Sequence, residues 1–376
     1  MNKMPLIRRH GLSLVLFASS LLFFGYLGWE RKETGFSELI PNGRSGEWYQ
    51  GDTHCHTDHS DGGLQRFFPL LPADMMVKSQ IRTALRRKLD FLMITDHRTL
   101  SHTYDPDFVR PEREILIIPS EEWGIDVHAT VWGIQDEIEN VANVEGSQWA
   151  VQLAHAQGGL IAMAHPARRR KSWFLRGKEH YKVEGMDAIE IWSGGWFGHF
   201  LSNNAEAVRF WEREFLNKGK KIVGIGASDS HVAQANVVGG VGYPTTVVFA
   251  SGLTQGEILD GIRKGHVYVK SGRTPLALSF EADADGDGRY ETLMGEEIQA
   301  SPSIPIDFRI RLRRARGMKA RLISQKGVLA AEKITHRDQI LHFRLKPADS
   351  WYRIEVLRFG RITEALTNPI YIRRQN

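Results

Sequence analysis

The sequence predicts an α/β barrel of strands alternating with helices, followed by a smaller β-rich region. Three observations predict it. Short apolar runs recur through residues 48–275, and each ends in a polar residue of metal-ligand type. Helix-length spacers separate most of these runs. After residue 275 the pattern becomes a period-two alternation with no convincing helix. In a barrel of this kind, functional side chains gather at the carboxyl ends of successive strands, so separated runs can build one site.

Residues 1–10 carry Lys3, Arg8 and Arg9, and residues 11–29 form an apolar run broken by serines and glycines. That run is long enough to cross a bilayer. Residues 24–30 lack a small-x-small cleavage pattern, and no nearby cysteine offers a lipid-attachment point. An uncleaved signal anchor is therefore expected, with residues 1–10 as a cytoplasmic tail. The positive charge upstream places the rest of the chain across the membrane, in a periplasmic or other extracytoplasmic space. Arg8-Arg9 also resembles a twin-arginine export signal, although the residues after the pair depart from that consensus. Residues 30–47 are polar and contain glycine, as a linker does.

The segment Asp52-Thr53-His54-Cys55-His56 ends an apolar-flanked strand in a His-x-His pair. Residues two apart on a strand share a face, so His54 and His56 can grip one cation. Ser60-Asp61-Gly62 signals a turn that returns Asp61 towards it. Further runs end in Thr95-Asp96-His97, in Ser120-Glu121-Glu122, in His165-Pro166 and in Ser228-Asp229-Ser230-His231, while His128 opens the run of residues 128–133. The pattern points to one multinuclear metal centre. Cys55 alternates to the opposite face of its strand, which favours a structural thiol over a ligand. As the only cysteine, it also excludes an intrachain disulfide.

His54-x-His56 with Asp61, Thr95-Asp96-His97, Glu122, His165-Pro166 and Asp229-x-His231 resemble the ordered motifs of the PHP (polymerase and histidinol phosphatase) superfamily. The resemblance spans roughly residues 48–275. It implies a distorted (β/α)7 barrel holding two or three divalent metals, with hydrolytic activity, usually on phosphoesters. Residues 128–133 and 265–272 are similar to the carbaryl-hydrolase branch. Ser120 departs from the family's usual glycine, and adjacent Glu121 and Glu122 both compete for the bridging position. Glu122 fits the family offset from Pro119 better. The resemblance implies a first metal on His54, His56, Glu122 and Asp229. A second would take Asp61, His97 and His231 and share Glu122, and a third would take His128 and His165. Imidazole and carboxylate without thiolate suit zinc, manganese or iron.

Hydroxide from a water bridging such metals would attack phosphorus or a carbonyl carbon, so no catalytic protein nucleophile is assigned. Arg168 lies in His-Pro-x-Arg, which resembles PHP phosphoesterases whose arginine meets the substrate phosphate. Its guanidinium fork suits two phosphoryl oxygens. Arg169 to Lys171 read as an exposed basic loop, and His102, His155 and His199 as structural or surface residues. Trp192, Trp196 and Phe197 read first as packing, with an aromatic wall near the metals as the alternative.

The leading expectation is hydrolysis of a small phosphoester. Carbamate or carboxylic-ester hydrolysis is the alternative. A non-catalytic, metal-stabilised envelope-binding module comes third, because every expected ligand position is filled.

Residues 276–376 are expected to form a small β-sandwich-like domain. Ile304, Ile306, Phe308, Ile310 and Leu312 alternate with polar residues, as a half-exposed strand requires. Residues 301–376 hold 17 lysines and arginines against 6 acids, so +11 of a chain of net +5 lies there. Such a tail suits an anionic envelope partner or is simply a solvated basic face. Nothing in it points to nucleic-acid stacking. Asp283, Asp285 and Asp287 have calcium-loop spacing, but Met294 at position twelve excludes a full EF-hand. A calcium site and a plain acidic turn both remain open.

Overall fold

The computed structural model describes residues 39–41, 43–60, 75–109, 115–125, 127–141, 144–167, 183–194, 203–231, 233, 239–272 and 274–375. The expected anchor at 11–29, residues 1–10, most of the linker, Asp61, Arg168 to Lys171, Trp196, Phe197 and His199 lie outside the described residues. Among the described residues no helix is long and apolar enough to cross a membrane. The chain divides into one unit up to Gly35 and another from Phe36 onward, and the second is described below.

Strand β1 (Glu47–Cys55) occupies the middle of a continuous sheet. It pairs in parallel with β2 (Phe91–His97), and β2 with β3 (Leu116–Trp123). β3 pairs antiparallel with β4 (Ala129–Trp132), and β4 antiparallel with β5 (Leu160–Met163). β6 (Ala188–Ser193) and β7 (Val223–Ala227) continue in parallel. On its other side β1 meets β8 (Thr245–Ala250), and β8 meets β9 (Val267–Lys270), both antiparallel.

Strict alternation of strand and helix fails at β3–β4. Only five residues, 124–128, join them. A parallel crossover needs a dozen or more, so the chain turns back as a hairpin. Ladder pairing also does not close into a barrel among the described residues. β7 reaches β1 through an isolated parallel bridge, Cys55 with Ser230. The His56 amide donates to the Ser230 carbonyl and the Asp229 amide to the His54 carbonyl, each at 2.9 Å. Gly226 allows β7 to press flat on β9, since any Cβ there would collide with Val269.

Helices α1 (Val77–Arg86), α2 (Val144–Ala156), α3 (Asn204–Glu214) and α4 (Gln255–Arg263) brace the sheet. α1 buries Val77, Ile81 and Ala84, an i, i+4, i+7 stripe. α3 starts where the Asn203 side chain accepts the Glu206 amide, satisfying one of the open N–H groups of the first turn. In α4 the Thr254 hydroxyl accepts from the Glu257 amide and donates to its carboxylate. Trp132 on β4 is fully buried, and its indole N–H donates to the Thr53 carbonyl at 3.0 Å, tying β4 across to β1.

The C-terminal strands are β10 (Ala277–Asp283), β11 (Thr292–Leu293), β12 (Glu297–Ala300), β13 (Ile306–Arg313), β14 (Lys319–Ser324), β15 (Gly327–Lys333), β16 (Gln339–Leu345), β17 (Ser350–Arg358), β18 (Ile362–Thr367) and β19 (Ile370–Arg374). β18 pairs with β9, so β17, β19 and β12 extend the first sheet instead of starting a detached one. β14 and β15 branch from β17. A second sheet, in the order β11-β10-β13-β16, packs against the first through a core including Phe280, Phe308, Ile310, Tyr352 and Ile354. Along β13 buried Ile306, Phe308, Ile310 and Leu312 alternate with half-buried Asp307, Arg309, Arg311 and Arg313. Burying side chains of this size contributes about 1.5–3 kcal/mol each, which is what fixes the face.

Candidate metal centre

Glu122 is the hub of a buried cluster of imidazoles. It lies near the end of β3, fully enclosed, with His54 from β1, His56 just after it, His97 from β2, His128 just before β4 and His165 just after β5 around it. Its Oε1 is 2.6 Å from His128 Nδ1, 2.9 Å from His165 Nε2 and 3.6 Å from His54 Nε2. Its Oε2 is 2.7 Å from His97 Nδ1 and 3.5 Å from His56 Nε2. Asp229, beyond β7, brings Oδ1 to 3.2 Å from His56 Nε2 and 3.5 Å from His54 Nε2. The His231 ring stands 4.1 Å from that of His56, centroid to centroid.

Backbone shape aims two of these groups. His165 has φ +30° and Asp229 φ +51°, left-handed conformations that a residue with a Cβ adopts at a cost. Each lies two residues past the end of its strand (Met163, Ala227) and turns its side chain back towards the cluster. Strain held at such positions accompanies function more often than it occurs by chance.

Glu121, one residue before Glu122, points to the other face of β3 and accepts the Ile138 amide at 3.0 Å. Burial raises its pKa to about 7. It is remote from the histidines that surround Glu122.

Three groups of side chains bring one ligand atom each within 4.8 Å of one another: His54, His56 and Asp229; His56, His97 and His231; and His97, Glu122 and His128. His165 approaches the last group through Glu122. The donor chemistry fits divalent cations. His54 Nε2 and His56 Nε2 face each other at 3.0 Å, and buried Glu122 Oε2 and His97 Nδ1 lack a well-directed hydrogen bond. Two ring nitrogens so placed cannot both carry a proton comfortably, whereas two lone pairs can share a cation. Cys55 is not part of this set. Its Sγ contacts the Met93 carbonyl oxygen at 3.5 Å, and burial raises its pKa well above the usual thiol range.

Without a cation the charges alternate. Burial works against protonated His54, but Glu190, Glu122 and Asp229 outweigh it and hold its pKa well above the ordinary value. The same opposition leaves His97 raised, with Glu122 winning. Burial lowers His128 to about 4, and burial also lowers His56 and His231. Burial opposes ionised Glu122 too, yet His128, His97 and His54 keep its carboxyl well below the usual range. Metal binding needs neutral imidazoles, so loading this cluster would release protons.

No protein-family model matches the chain. No curated protein matches it either. Several solved structures resemble it at low identity. One is a two-domain protein from Bacteroides vulgatus containing a predicted PHP-like metal-dependent phosphoesterase, with 16% identity over 91% of this chain and 100% of that one, TM-score 0.46. Another is the lesion-specific endonuclease PfuEndoQ from Pyrococcus furiosus, with 15% identity over 58% and 55%, TM-score 0.39. A third is an amidohydrolase from Chromobacterium violaceum, with 15% identity over 50% and 90%, TM-score 0.34. The functional reading therefore rests on the cluster's own residues.

Four further residues support the cluster from outside, and the sequence assigned none of them that role. Glu190 on β6 accepts from His54 Nδ1 and from the His165 amide, both at 2.7 Å. It thereby fixes which nitrogen of His54 faces inward. The Asp96 carboxylate takes bonds from the Thr57 amide, the Thr57 hydroxyl and the Ser60 hydroxyl, while Ser60 Oγ lies 3.0 Å from His56 Nδ1. His102, expected in a structural or surface role, is buried and structural, with Nδ1 3.0 Å from Asp96. Despite burial, these bonds depress the Asp96 pKa. Asp52 accepts the Ser228 amide at 3.0 Å and the Gly242 amide at 2.7 Å, joining β1 to the segment that carries Asp229. A carboxylate inside an apolar run was the available signal for Glu190.

The remaining candidates lie apart from the cluster. His155 is exposed and pairs with Asp187 at 2.9 Å. His266 pairs with Glu296 at 3.0 Å, a contact between the strand sheet and the C-terminal region. Half-buried Trp192 packs on a hydrophobic core. Asp283, Asp285 and Asp287 stand close enough to share a cation, and Asp283 also accepts the Gly286 and Gly288 amides at 2.7 and 2.9 Å.

Proposed function

We propose that this chain is a metal-dependent hydrolase of the PHP type, acting on a small phosphoester through two or three divalent ions. The observation that carries the reading is the contact of one buried carboxylate, Glu122, with five histidines delivered by β1, β2 and the segments flanking β4 and β5. His54, His56, His97, Glu122, His128, His165, Asp229 and His231 would hold the ions, with Asp61 added from the sequence. When bound, ions in such a site supply Lewis acidity and, near neutral pH, a deprotonated water as nucleophile.

The chain's own contribution is positioning. Glu190 and Ser60 occupy the outer nitrogens of His54 and His56, leaving their inner nitrogens as donors. Glu122 and Asp229 offset the positive charge, and burial keeps bulk water away. Arg168 would receive the phosphoryl oxygens of the substrate. Carbamates and carboxylic esters, the chemistry of the carbaryl-hydrolase-like branch, present a carbonyl to the same machinery. The apolar run at 11–29 would anchor the protein, with the hydrolase exported.

The test is elemental analysis of the purified full chain, followed by a hydrolysis screen on aryl phosphates, nucleotides and aryl carbamates. Metal content of at least two ions with turnover of phosphates supports the proposal. Turnover of carbamates alone would move it to the alternative, and well-folded protein with less than one ion would defeat it.

A further inference from the structure

The turn between β17 and β18 has the backbone of a common hairpin tip but an unusual residue in it. Arg358 pairs with Ile362, leaving Phe359, Gly360 and Arg361 to make the turn. Phe359 has φ +51° and Gly360 φ +70°. Glycine, asparagine or aspartate normally fills such positions, and a bulky aromatic there is strained. Phe359 is also 77% exposed and Ile362 51% exposed. A phenylalanine held in a costly conformation and in water is stabilised by nothing else in the described fold, and with Ile362 beside it the tip presents an apolar pair to solvent.

Strand direction surrounds this tip with positive charge. β14 runs antiparallel to β17 with Lys319 opposite Leu357, and β15 brings Lys333 opposite Lys319. Arg316 precedes them in the turn leading into β14. Arg316, Lys319, Lys333 and Arg361 are all exposed, and among the described residues none has a carboxylate within ion-pair distance. Arg358 is paired with Glu364 at 2.7 Å. An aromatic and a branched aliphatic tip ringed by unpaired cations matches the boundary of an anionic bilayer. There apolar side chains enter the acyl region and each nearby lysine or arginine gains from the headgroup charge.

The placement has a consequence for the hydrolase. Pairing runs unbroken from β1 through β8, β9 and β18 to β17. By strand direction, the tip lies at the same edge of that sheet at which β1 delivers His54 and His56. We propose that the Arg358–Ile362 turn is a membrane-docking loop: Phe359 and Ile362 insert into an anionic lipid surface, held there by Arg316, Lys319, Lys333 and Arg361. The apolar run at residues 11–29 independently favours a bilayer over a protein as the occupant. The loop's role does not depend on the catalytic reading and can be measured on inactive protein.

The single cysteine, Cys55, is buried, so a new surface cysteine can be labelled selectively. The full chain carrying Phe359→Cys, labelled with an environment-sensitive fluorophore, is reconstituted into vesicles of phosphatidylcholine alone or of one part phosphatidylserine to two parts phosphatidylcholine. On the anionic vesicles, label emission should shift to the blue and be quenched by nitroxide-bearing lipids. A label at Val328→Cys, at the opposite end of the β14–β15 hairpin, should remain in water on both. Arg316→Glu with Arg361→Glu, two exposed changes checked for folding by circular dichroism, should abolish the lipid quenching. A water-exposed Phe359→Cys label on both vesicles, equal quenching with and without anionic lipid, or shielding without lipid quenching would each overturn the proposal. The last result would mean a protein partner.

Discussion

Glu121 and Glu122 are neighbours in sequence and opposites in environment. Alternation along β3 turns Glu122 into the histidines, 2.6 Å from His128, and turns Glu121 away to the Ile138 amide at 3.0 Å. The pair gives an internal control for the metal reading. Glu122→Gln removes the charge shared by the cluster and should cost at least one bound metal with loss of turnover. Glu121→Gln keeps the acceptor for Ile138 and should leave metal content unchanged. Elemental analysis of both variants checks the contrast, and equal metal loss in both would refute it.

Glu190 yields a second prediction. It holds His54 Nδ1 and the His165 amide. Outer partners of metal-bound histidines typically contribute ten- to a hundredfold in affinity or activity. Glu190→Ala should therefore weaken metal binding by about that factor, and Glu190→Gln should recover part of it by still accepting one bond. Competition with a chelator of known affinity measures the effect. His155→Ala, on the exposed Asp187 pair, should change nothing.

The strand ends that carry the clustered side chains were legible because a buried strand writes an apolar run, and a polar residue ending it stands out. Cys55 was placed by period-two alternation alone. Glu190 was not legible as a partner, since a carboxylate inside Ala188-Ile189-Glu190-Ile191 says only that it must be satisfied, not by whom. The reversal at β3–β4 is a loop-length effect, and residues 124–128 could have been counted. The pairing of β18 with β9 joins residues about a hundred positions apart, and no local pattern encodes such a partner.

Lys270 supplies a pH prediction. It lies at the end of β9, buried, and burial lowers its pKa to about 8 from 10.5. Below about pH 8 both folded and unfolded chains carry the proton, and the fold bears the cost of a buried charge. Between about pH 8 and 10.5 the unfolded chain binds more protons than the folded one, so this residue makes stability rise with pH. The full span corresponds to about 3–4 kcal/mol. Lys270→Met should remove the rise, seen as a flatter difference in unfolding midpoint across that window. An identical pH profile for both proteins would show that the ammonium is solvated after all.

Arg168 separates the two enzymatic readings. It follows the cluster residue His165 by three positions, in the order His-Pro-Ala-Arg. If the substrate is a phosphoester, its guanidinium pairs with a non-bridging oxygen, a charge-assisted bond of about 1.5–3 kcal/mol. Arg168→Ala should then lower kcat/KM roughly ten- to a hundredfold. Arg168→Lys should restore only part, because an ammonium cannot present two parallel donors. Metal content should stay constant in both variants, since arginine is not a ligand, and that distinguishes lost substrate contact from a damaged centre. With a neutral carbamate or ester, Arg168 has no anion to meet and its removal should leave the rate near that of the parent. A parent enzyme that hydrolyses phosphates equally well with and without this side chain would remove Arg168 from the phosphate-binding role.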